Sequence, residues 1–140
     1  MADLITCGRS NDIMCEPCES MNKSMVMSQV EVKAKLTESL PRWKSVKSSY
    51  DGKIKISLFF KAKNFQCALN AINKFGQIAE REGHHPDIHL TNYRDVEIFL
   101  FTHSVGGVTQ NDLVLAQMFD EVDIVYSPKW LKENPITYVL

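Results

Sequence analysis

The chain has 140 residues, the size of one domain with tails, and its 44% hydrophobic and 24% charged content is that of an ordinary globular protein. A formal net charge of −1 supplies no basic field for nucleic acid, and no apolar run approaches the roughly 18 to 20 residues of a membrane span. The amino terminus carries Asp3, Asp12, Glu16 and Glu19 and no apolar core, so it reads as neither a secretory signal nor a transit peptide.

Residues 1–26 lack periodicity and are expected to form a flexible arm. Cys15 and Cys18 make a C-x-x-C within it, but no second pair follows to complete the four ligands of a structural zinc. No strand precedes the pair, as a redox site would require. Together with Cys7 and Cys67 these cysteines are no disulfide framework, and a reduced, cytoplasmic protein is expected, with a nuclear location also open.

The domain proper is expected over residues 27–126. Ser28-Gln-Val-Glu31 is a capping box that starts a helix at Gln29; Val32, Leu36 and Leu40 give its apolar stripe and Pro41 ends it. A strand follows over Trp43–Ser48, then a tight turn at Tyr50-Asp51-Gly52-Lys53. In the next strand Ile54, Ile56, Leu58 and Phe60 face one way and Lys55, Ser57 and Phe59 the other. Asn64 is an N-cap, and Phe65, Ala68, Leu69, Ile72, Phe75 and Ala79 repeat at helical spacing up to a C′ glycine, Gly83. Ile88–Asn92 is a short strand and Tyr93–Asp95 a turn. The last strand runs to His103, with Val96, Ile98 and Leu100 opposite Glu97, Phe99, Phe101 and His103. Thr109 and Asp112 cap a final helix whose stripe is Leu115, Met118, Phe119 and Val122. Residues 127–140 form a C-terminal extension that packs as an irregular segment or meets a neighbouring subunit.

The order α-β-β-α-β-β-α predicts an α+β fold: two layers, with a four-stranded antiparallel sheet and helices packed on one face. The other face, with Phe59, Phe99 and Phe101, is too apolar to stay wet, and an oligomer contact or a ligand is expected to cover it.

Chemistry concentrates at the histidines. Imidazole exchanges protons near neutral pH, and His84 and His85 follow the long helix while His103 ends a strand. Pro86 biases His85 to extended backbone, so the two neighbouring side chains should point apart. Glu80, in the last helical turn, can bond an imidazole N–H and fix its tautomer. His85-x3-His89 has the spacing of a helical metal pair, but Pro86 opposes helix there, and no metal or other cofactor is expected.

The series Glu80-x3-His84-His85-Pro86-x6-Tyr93-x9-His103-x8-Asp112 resembles the signature of the pterin-4a-carbinolamine dehydratases. The likeness spans about Leu36 to Val122, and Trp43, Asn64-Phe65 and Thr102-His103 agree with it. It implies dehydration of a 4a-hydroxytetrahydropterin to the quinonoid dihydropterin, with His84, His85 and His103 as the catalytic set. By the same resemblance His84 and His103 are the proton-transfer partners and His85 helps to bind the pterin. Glu80, Pro86, Asp87, Tyr93 and Asp112 support the site or contact substrate, Asp112 chiefly as a helix N-terminal anion. A homodimer or homotetramer is implied, with no nucleic-acid or membrane partner. The alternative is a non-catalytic module on the same fold, a dimerisation partner for a transcription factor.

Overall fold

Alternating apolar residues set the sheet. In a computed structural model that describes residues 22–136, the strands are β1 (Lys44–Lys47), β2 (Ile54–Lys61), β3 (Asp87–Thr91) and β4 (Asp95–Leu100). They form one antiparallel sheet in the order β1-β2-β4-β3, so two hairpins are joined through β2 and β4, with Ile56 opposite Leu100 and Phe60 opposite Val96. The Cys15–Cys18 pair lies outside the described residues.

One face of the sheet, with Ile56, Leu58, Phe60, Val96, Ile98 and Leu100, is sealed from solvent. Helices α1 (Gln29–Ser39), α2 (Phe65–Glu82) and α3 (Gln110–Asp120) supply the other half of that core through Val32, Phe75 and Phe119 among others. The rings of Phe75 and Phe119 lie 4.8 Å apart and carry α2 against α3. This is the two-layer α+β arrangement the sequence predicts.

The helix ends follow their caps. Ser28 and Glu31 close a reciprocal capping box at α1, and Asn64 Oδ1 accepts the Cys67 N–H at 2.8 Å at the start of α2. Gly83 ends α2 in the left-handed region, at φ 65°, where a side chain would be strained.

Three features differ from the sequence expectation. Trp43 leaves the first strand because its ring enters the core, with Nε1–H donating to Asp120 Oδ1 at 2.9 Å. β4 stops at Leu100, not His103, because the chain turns: Thr102 N–H bonds Gly107 O, and Gly106 N–H bonds Thr102 O, each at 2.8 Å. Gly107 is required there by close approach, since a Cβ would lie 2.5 Å from Val26 Cγ1. Finally, the extension is not irregular throughout. Ser127 caps a short helix, α4 (Pro128–Glu133), which lies on the sheet face away from the other helices. Trp130 stacks on Tyr126 at 5.7 Å and meets the edge of Phe59 at 6.4 Å. The chain thus covers part of its own apolar face, leaving a groove of about 450 Å³ bordered by Lys44, Glu97 and Pro135.

Candidate active site

The long helix α2 delivers the first histidines. After the left-handed turn at Gly83, His84 N–H bonds back to Ala79 O at 3.2 Å, which fixes the exit direction. His84 then turns inward and is 3% exposed, while His85 points out. The opposite orientations predicted for this pair are observed.

His84 Nε2 lies 2.6 Å from Asp112 Oδ1, across 28 residues of sequence. Asp112 is fully buried in the first turn of α3. Its second oxygen accepts two hydrogen bonds at 2.9 Å, from the Thr109 backbone N–H and from the Thr102 hydroxyl. Thr102 and Thr109 touch through their hydroxyls at 2.8 Å. A single carboxylate therefore holds three pieces of chain: the exit of α2, the end of β4 and the start of α3. One proton is shared across this contact, and the contact fixes the orientation of the His84 ring.

The sheet register agrees. Asp87 pairs with Phe99 and Ile88 with Ile98, and continuing this antiparallel ladder backwards sets His85 level with Phe101 and His84 level with Thr102. The His84–His85 segment and the segment leading to His103 thus reach the same end of the sheet.

His85 Nε2 is 2.7 Å from Glu80 Oε1, and both side chains are mostly in solvent, at 62% and 75% exposure. Glu80 thus steadies His85, five residues on, and His84 takes its carboxylate from α3 instead. His103 is exposed and packs its ring 4.2 Å from that of Phe101. The Lys55 ammonium sits 4.4 Å from the Phe101 ring centre, placing a cation beside the same aromatic.

Pro86 and Asp87 are half-buried where the chain enters β3, next to His85. Tyr93 is not brought to this cluster. It occupies the three-residue turn at the opposite end of the β3–β4 hairpin, with φ 55° and its ring in solvent against Arg94. The length of β3, roughly 17 Å at 3.3 Å per residue, separates it from His85. In the sequence Thr102 and Thr109 are marked only by the Thr102-His103 pair of the family likeness and by the Thr109–Asp112 capping box, which accounts for one of the three bonds that Asp112 accepts. Among the described residues, no group of three or more His, Cys, Asp or Glu side chains is arranged to hold a metal ion. His89 is in β3, against Phe99, and forms no helical pair with His85.

Two imidazoles open to solvent and a third backed by a buried carboxylate suit the donation and removal of protons.

Comparison with known proteins bears on the chain as a whole. Residues 25–122 match the family model described as pterin 4 alpha carbinolamine dehydratase. A Chlorobaculum tepidum protein provisionally named for the same activity is 38% identical over 102 residues, covering 73% of this chain and 86% of that protein. The mitochondrial pterin-4-alpha-carbinolamine dehydratase 2 of Arabidopsis thaliana is 30% identical over 114 residues, 81% of this chain and 60% of that one. A crystal structure titled transcriptional coactivator/pterin dehydratase from Brucella melitensis superposes with a TM-score of 0.58 at 29% identity, covering 68% of this chain and 95% of the other.

Proposed function

The chain belongs to the pterin-4a-carbinolamine dehydratase family, and from that premise we propose that it converts a 4a-hydroxytetrahydropterin to the quinonoid dihydropterin and water by histidine acid–base catalysis. In this reaction the bond from C4a to the hydroxyl oxygen breaks and the N5–H proton is lost as a C=N bond forms. Hydroxide is a poor leaving group, so an acid protonates the departing oxygen while a base takes the N5 proton. Each such transfer is worth on the order of 10²–10⁴ in rate. The balance closes with water and needs neither an oxidant nor a metal.

His103 and His84 take the proton-transfer roles, and His85, steadied by Glu80, grips the ring system at the mouth of the site. The observation that carries this reading is the shared carboxylate. Asp112 bonds His84 directly and Thr102, the neighbour of His103, through its other oxygen. Histidines distant in sequence are thereby held to one frame, with an orienting acid behind one of them, as proton transfer requires.

A second assignment is favoured by one observation, the 3% exposure of His84 against the open position of His85. In it His85 moves the proton and His84 only frames the site. The decisive experiment follows the absorbance of a 4a-hydroxytetrahydropterin with wild type, His103→Ala, His85→Ala and His84→Gln. Wild type accelerates its decay, and His103→Ala lowers kcat by about 10²–10⁴. A rise in KM at unchanged kcat for His85→Ala supports the binding role; a fall in kcat gives His85 the proton. No acceleration by wild type would instead favour a transcriptional coactivator role, the other half of the Brucella melitensis protein's name. We expect a homodimer or homotetramer, to be measured by sedimentation.

A further inference from the structure

Thr102 has no acid or base to offer, yet its hydroxyl sits where the histidine segments meet. Thr102, Thr109 and Asp112 are all sealed from solvent. Thr102 Oγ1 is 2.9 Å from Asp112 Oδ2 and 2.8 Å from Thr109 Oγ1. A hydroxyl has a single hydrogen, and an ionised carboxylate can only accept one. Thr102 therefore donates to Asp112 and accepts from Thr109. The bonds run in one direction, from Thr109 through Thr102 to Asp112, whose other oxygen faces His84.

The backbone of Thr102 is constrained as well. Its N–H and its carbonyl both bond into the turn at Gly106 and Gly107, each at 2.8 Å, and the next residue is His103. One side chain thus constrains the rotation of the carboxylate behind His84, while its own backbone launches His103. A valine would keep the shape and lose the donor. Asp112 would then hold two donors in place of three, with one buried oxygen lone pair less engaged.

We propose that Thr102 is a positioning residue: its hydroxyl aims the Asp112 carboxylate at His84 and keeps that pair in register with the strand end bearing His103. This rests on the reading of the histidines as the reacting groups, where small displacements cost large factors in rate.

The test compares Thr102→Val, Thr102→Ala and Thr102→Ser by two readouts: dehydration kinetics, and the proton NMR signal of the His84 Nε2–H held by Asp112. Thr102→Val should lower kcat about tenfold with KM little changed, as loss of a hydrogen bond to a charged group predicts. The same variant should shift the His84 proton signal or lose it to exchange, and Thr102→Ser should restore both. Wild-type kcat with an unmoved His84 signal in Thr102→Val overturns the proposal. So does an equal loss in Thr102→Ser, which would assign the effect to methyl packing. Should the valine variant fail to fold, the alanine and serine variants give the same contrast. Should the wild type show no dehydration, the reaction reading falls alone, and the His84 signal across the variants still decides the role of Thr102.

Discussion

At the scale of residues, Asp112 carries more than its position in the chain suggests. The capping box at Thr109 is visible in the sequence because its partners are three residues apart. The bond to His84 is not, because it joins residues 28 apart that only the fold brings together. Asp112→Asn disturbs both bonds at once. An amide offers one acceptor oxygen where the carboxylate offers two, and its NH₂ opposes the donors at the other position. The variant should lose about 1–3 kcal/mol of stability, seen by urea unfolding, and lose kcat as well. Full retention of both would mean that the carboxylate neither holds the segments nor serves the histidines. Tyr93 teaches the converse lesson. The signature spacing made it a site residue, whereas the three-residue hairpin turn carries it to the far end of β3 and β4.

Elements were the most legible level, wherever period and punctuation agree. The α2 stripe, its Asn64 cap and its Gly83 stop all lie where residue types dictate. Gly83 also sets the direction in which His84 departs. Replacing it by alanine meets no steric obstacle, since no atom lies within 4 Å of the added carbon. The cost is conformational alone, about 1–2 kcal/mol for a left-handed non-glycine residue. A thermal unfolding series should show that loss in Gly83→Ala and a smaller one in Gly83→Asn. The end of β4 was illegible because alternation persists through His103 while the backbone has already turned at Thr102. The end of α3 adds a pH dependence. Burial raises the Asp120 carboxyl above its usual 3.8, outweighing the Trp43 N–H and the Arg42 charge that lower it. A raised carboxyl holds its proton more tightly when folded, so its stabilisation is complete below pH 3.8 and is lost as pH rises through the folded value. Asp120→Asn keeps an acceptor for Trp43 and has no proton to lose. Its Tm relative to wild type should therefore rise with pH across that window; a constant or falling difference would contradict the assignment.

At the scale of the whole molecule, binary patterning gave the two layers and the four antiparallel strands, because each strand has one apolar face and each helix one stripe. The C-terminal segment escaped this reading. α4 has only six residues, too few for a period, and its contacts depend on two aromatic neighbours, Tyr126 and Phe59. Trp130→Ala should cost about 1–3 kcal/mol, from two ring pairs, and increase binding of a hydrophobic dye at the uncovered face. The active-site reading depends on a larger claim, that the ends of α2 and β4 form a single cleft for one ligand. A titration of the protein with an unreactive dihydropterin analogue, followed through the ring signals of its histidines by NMR, tests it most directly. The signals of His85 and His103 should shift together with one dissociation constant, while that of His89 stays put. Movement of only one of the two, or of neither at saturation, would contradict it.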